Sequence, residues 1–161
     1  MQMQRSEHIL TSQIEIAPND LDDPAAACRR EIESRFVNRA SQIYGHCVRI
    51  VSIDDLEQNT ISRITGGVIY TVTHRIECFK PQVGQEITGQ VSSVFPDGVF
   101  VDVHGIMVLV PLRQHGLVCA MGGCLHEESD TMFFPHNDMT VRITSIRFEK
   151  TAYQCIGAIV I

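Results

Sequence analysis

No run of about 18 apolar residues occurs in the chain, so a transmembrane helix is not expected. The opening MQMQRSEHIL has no apolar core of the kind a secretory signal carries, and an intracellular protein is expected. Positive charge is scarce. Residues 1–80 hold 9 Lys/Arg against 11 Asp/Glu, a balance of −2, and residues 81–161 hold 4 against 8, a balance of −4. Affinity for nucleic acid rests mainly on Lys and Arg that neutralise phosphates, so tight nucleic-acid binding as the main task is disfavoured, most of all in the second half. There is no G-x-x-x-x-G-K-[ST] phosphate loop, and a hairpin-type turn accounts for Gly66-Gly67. The paired C-x₂-C and H-x₃-H spacings of common zinc sites are missing too.

What remains is the composition of an ordinary soluble globular protein, 44% hydrophobic and 20% charged over 161 residues. Cys28, Cys47, Cys78 and Cys155 lie singly in helix- or strand-like segments and read as reduced core residues. HILTSQIEI alternates as a first strand with Leu10, Ile14 and Ile16 on one face. A helix is expected across 18–43, capped by Asp23 before Pro24. Its buried stripe runs through Cys28, Ile32, Phe36, Ala40 and Ile43, and Gly45 releases the chain. HCVRIVSID reads as a strand, DLEQN as a polar turn and TISRIT as another strand. In VIYTVTHRIECF, Val68, Tyr70, Val72, Ile76 and Cys78 face one way and Thr71, Thr73, Arg75 and Glu77 the other. The first half is therefore an α+β unit, one helix on a four-stranded, mostly antiparallel sheet.

After Lys80 to Gly84 the pattern changes. Five strand-like runs follow, QEITGQVSSVF, GVFVDVHG, IMVLVPL, MTVRITSIRFE and TAYQCIGAIVI, with a long connection at 113–138 before the fourth. That is the pattern of a small closed barrel of the OB type. Helix-plus-sheet followed by all-β favours two units, residues 1–80 and 81–161.

From Tyr44 to Leu112 the sequence resembles the seventh-largest-subunit family of eukaryotic RNA polymerase II, whose relatives are the corresponding stalk proteins of the archaeal polymerase and of polymerases I and III. The specific part is a strand ending in ECFKP, then VGQEITGQV, then DGVFVDV; AYQCIGAIVI is similar to the family's closing strand, around Ile156-Gly157. The likeness covers residues 8–112 and 138–161 and leaves 113–137 outside it. It implies an N-terminal tip domain that docks on the core enzyme and an S-one-type OB barrel near emerging RNA. As partners it implies the largest polymerase subunits at the clamp and a fourth-subunit-like stalk protein, while one stacking residue with few nearby cations predicts only a weak contact to nascent RNA. It implies no catalysis and no cofactor. The expected compartment is the nucleus for a cellular enzyme, or the virion or infected-cell cytoplasm for a divergent viral member. On the family's pattern the Gly66-Gly67 turn lies at the tip, which makes Ile64, Thr65, Gly66, Gly67 and Val68 the expected contact with core polymerase, set against a plain solvent-exposed hairpin. On the RNA-binding pattern of such barrels Phe100 is kept, but Asp97 precedes Gly98 and Pro111 stands where a histidine falls.

The candidates for RNA contact are Phe95, Phe100, Arg113, Arg142, Arg147 and Lys150. Phe100 is out of phase with Val99, Val101 and Val103, so it lies outside the barrel if those line it, as a base-stacking residue or equally as a surface aromatic covered by a partner or a loop. His115, Cys119, Cys124 and His126 fall within twelve residues and form a candidate zinc set, set against a loop whose Cys pack and whose His face water. The expected function is a non-catalytic polymerase stalk subunit. Its rivals are a free-standing single-stranded-RNA-binding module of translation or RNA decay and a small metalloenzyme built on the 115–126 cluster.

Overall fold

Alternation begins at once in the computed structural model, which describes residues 5–113 and 116–161. Strand β1 (Arg5–Ile16) turns Leu10, Ile14 and Ile16 inward. A single 3₁₀ turn at Pro18–Asp20 leads to helix α1 (Pro24–Phe36). The Asp23 carboxylate accepts a hydrogen bond from the Ala26 N–H at 3.2 Å, satisfying a donor that has no partner within the helix. Arg29–Glu33 and Glu31–Arg35 pair along the exposed face, and Ala27, Cys28 and Ile32 are buried.

The helix is shorter than its apolar period. Val37 is already extended and Asn38 has φ of 61°, which turns the chain out of the helix. Ala40 is then buried as part of β2 (Ala40–Ser41), and Ile43 is exposed rather than part of a helical stripe. Strand β3 (Gly45–Ile61) runs straight through the expected turn at 55–59, with four register shifts against β4 (Val68–Phe79). The shifts are bulges that let a long, exposed ribbon keep its pairing. The sheet order is β1-β4-β3-β2, antiparallel throughout. Its core face and α1 share one cluster that includes Ile14, Cys28, Ile32, Val72, Ile76 and Cys78.

The chain divides into two units, Arg5–Phe79 and Lys80–Ile161. The second is all β: β5 (Glu86–Phe95), β6 (Gly98–Val103), β7 (Ile106–Pro111), β8 (Leu117–Ala120), β9 (Gly123–His126), β10 (Thr131–Phe133), β11 (Asp138–Glu149) and β12 (Ala152–Ile159). Five of these close a barrel in the order β11-β12-β7-β6-β5, with β7 and β12 parallel and the other pairs antiparallel. That order is consistent with an OB-type barrel. Val99, Val101, Val108, Val110, Val141 and Ile143 fill it. Gly89 permits its tightest approach, since a Cβ there would sit 2.4 Å from the Asp102 carbonyl oxygen. The stretch expected to be one long connection instead builds a three-stranded sheet, β10-β9-β8.

Candidate functional site

Two surfaces and one hairpin hold most of the residues that the sequence singled out. The first surface is the turn between β3 and β4. Its backbone is pinned by bonds from the Ser62 N–H to the Gly67 carbonyl (2.7 Å) and from the Gly66 N–H to the Ser62 carbonyl (2.9 Å). The Thr65 hydroxyl accepts from the Gly67 N–H and donates to the Glu15 carboxylate, which fastens the turn to the end of β1. Gly67 sits so close that a Cβ would lie 2.8 Å from the Ile16 carbonyl oxygen. On this fixed turn Ile64 is 95% exposed, and Ile61 beside it is 63% exposed. Gly67 and Val68 are buried, Val68 within the core cluster. The exposed surface of the turn is thus Ile64, Thr65 and Gly66 together with Ile61, the last residue of β3, which the expectation of a strand over 60–65 did not single out.

The second surface is on the outside of the barrel. The pairings Phe100↔Leu109, Leu109↔Ile156 and Ile156↔Ser145 place these side chains in one row across β6, β7, β12 and β11. With Met107, Arg147 and Tyr153 they line a groove of about 430 Å³. Phe95, 49% exposed, meets Phe100 edge-to-face with ring centroids 5.8 Å apart. Arg147 carries the groove's charge and pairs with Glu149 at 3.6 Å. Phe95, Phe100 and Arg147 are therefore brought together. Arg142 instead pairs with Glu86 on β5, Lys150 lies in the β11–β12 turn and Arg113 follows β7; none of the three lines the groove. Met107, Leu109 and Ile156 were missed, although each is out of phase with buried neighbours just as Phe100 is.

The third feature is the β8–β9 hairpin. Cys119 and Cys124 face each other across it, Cys119 exposed and Cys124 buried. His126 Nδ1 shares a 2.8 Å hydrogen bond with the Ser129 hydroxyl. His115 lies outside the described residues. Among the described residues no three His, Cys, Asp or Glu side chains gather as metal ligands do.

No known protein-family model matches the chain. It is 25% identical over 119 residues to the DNA-directed RNA polymerase III subunit RPC8 of Saccharomyces cerevisiae. The match covers 73% of this chain and 55% of that protein, so the chain spans about half the length of the curated relative it matches.

Proposed function

We propose that this protein is a non-catalytic stalk subunit of a multisubunit DNA-directed RNA polymerase. The observation that carries the reading is the similarity to a polymerase III subunit across 73% of the chain. In this reading the N-terminal unit is the tip domain, and its β3–β4 turn docks on the core enzyme near the clamp. Exposed isoleucines on a pinned turn suit that task, because burying each contributes about 1.5–3 kcal/mol and little conformational freedom is left to lose. Docking biases the clamp toward closure to the extent that the closed state binds the tip better than the open one. The partners are the largest polymerase subunits and a fourth-subunit-like stalk protein.

The barrel stands near emerging RNA and touches it weakly. Phe95 and Phe100 offer a stacking platform, and Arg147 a nearby cation held by an exposed ion pair with Glu149, a contact worth about 0.2–1 kcal/mol. The excess of acidic residues in this half keeps the contact weak. That same platform favours a second reading, a free-standing single-stranded-RNA-binding module.

The test is affinity purification of the tagged chain from its native source after nuclease treatment, with bound proteins identified by mass spectrometry. Recovery of the two largest polymerase subunits is the expected result. Recovery of ribosomal or RNA-decay factors without polymerase overturns the reading in favour of the second.

A further inference from the structure

Four of the six cysteines form two cross-strand pairs, Cys47↔Cys78 and Cys119↔Cys124. The position of each pair in its ladder decides how close the side chains come. Across β8 and β9, the Leu117 N–H bonds to the Leu112 carbonyl, away from β9, while the Glu127 N–H bonds to the Gly116 carbonyl. Leu117↔His126 is therefore a non-hydrogen-bonded pair, and two residues on, Cys119↔Cys124 is another. In such pairs the Cα atoms stand about 4.5 Å apart, which falls within the span a disulfide bridges. The hairpin is also tight, with Met121 and Gly122 both at positive φ (52° and 78°) between Ala120 and Gly123, which suits a two-residue turn with little slack.

The two thiols differ in access. Cys119 is exposed on β8, an edge strand of its sheet, and Cys124 is fully buried behind it. Burial, then the neighbouring Cys119, push the Cys124 thiol up to about 11, so it waits as a protonated partner. An exposed sulfur beside a resolving one is the arrangement of a thiol oxidised in two steps. The Cys47–Cys78 pair lacks this access. Both of its thiols are buried in the core, and the Cys47 thiol donates to the Arg49 carbonyl.

We propose that Cys119 and Cys124 are a site of reversible oxidation that closes a cross-strand disulfide on reaction with a hydroperoxide. The Cys119 thiolate attacks the peroxide, breaking the O–O bond, and becomes a sulfenic acid while the distal oxygen fragment leaves as alkoxide or hydroxide and takes up a proton. Cys124 sulfur then attacks the Cys119 sulfur. The S–S bond forms, the S–O bond breaks, and the departing hydroxide leaves as water with the Cys124 proton. Two thiols lose two electrons, and the peroxide gains them. A dithiol reverses the bond by thiol–disulfide exchange. The inference is independent of any role in transcription.

The full chain, exposed to dilute hydrogen peroxide at neutral pH, alkylated and cut with trypsin, reports the outcome on one peptide, because both cysteines lie between Arg113 and Arg142 with no Lys or Arg between. The expected result is loss of two hydrogen atoms and of both alkylation sites on that peptide, restored by dithiothreitol. Cys124→Ser should instead accumulate a dimedone-reactive Cys119, and Cys119→Ser, altered at an exposed position, should lose the response. Sulfinic acid at Cys119 in the wild type, chain-to-chain dimers through it, an unreactive Cys119, or a Cys47–Cys78 disulfide formed in its place overturns the proposal.

Discussion

At position 74 an imidazole stands where the alternation of β4 reserves an apolar side chain. His74 is fully buried, with Nε2 sharing a 2.9 Å hydrogen bond with the Ser12 hydroxyl and Nδ1 without a hydrogen-bond partner among the described residues. Burial depresses its pKa below the ordinary 6.5, and the nearby Asp54 charge opposes that only in part. The unfolded chain takes up a proton as pH falls through 6.5, whereas the folded chain resists until lower pH. The neutral imidazole's contribution is thus complete above 6.5 and is lost as pH falls through the depressed value. The urea midpoint of the wild type should drop between about pH 7 and pH 5, and His74→Gln, which keeps a hydrogen-bonding side chain but does not titrate, should drop less. Equal slopes would contradict this. Phe100→Ala should weaken single-stranded RNA retention about 5- to 150-fold, since stacking contributes about 1–3 kcal/mol per base. Arg142→Ala, whose guanidinium is engaged by Glu86 away from the groove, should change it little; the reverse ranking in filter binding would remove the groove from the account. Phe100 was legible in the sequence because an aromatic among valines breaks the pattern visibly. Met107, Leu109 and Ile156 were not, because an aliphatic residue inside an aliphatic run looks like core until strand register shows its face.

Elements were legible where one period held and illegible where a local conformation cut across it. Ala40 and Ile43 continue the helical spacing of Cys28, Ile32 and Phe36, yet Asn38 at positive φ stops the helix and Ala40 pairs with His46. Residues 55–59 resemble a turn because Leu56 is the lone apolar side chain among polar ones; pairing with β4, together with Leu56 packed against the core cluster, keeps them extended. The start of the helix was fully readable. Asp23→Ala should lower stability by about 1 kcal/mol, and Asp23→Asn by much less, in chemical denaturation. Equal losses would mean that charge rather than the hydrogen bond matters there. In the barrel, Gly89→Ala forces a methyl group against the Asp102 carbonyl and the Val101 and Val103 side chains. A loss of about 1–3 kcal/mol is expected, and an unchanged thermal midpoint would show that β5 and β6 do not approach as described.

For the whole molecule, the order of elements, helix with sheet and then strands alone, could be read from the change of period near Pro81. The β8–β10 sheet could not, because its strands are three or four residues long and rich in Gly, Cys and His rather than β-branched side chains. At this scale the proposed role is that of a polymerase subunit held by the β3–β4 turn. It is tested most directly by purifying the enzyme through a tag on its largest subunit, from native cells carrying either the wild-type chain or Ile64→Asp, and counting copies of this chain per enzyme. Near one copy is expected for the wild type, retained through size exclusion at moderate salt, and a loss of at least about tenfold for the variant, the equivalent of about 1.4 kcal/mol. A wild-type chain that elutes apart from the polymerase would contradict it, and a variant retained as well as the wild type would move the docking surface away from Ile64.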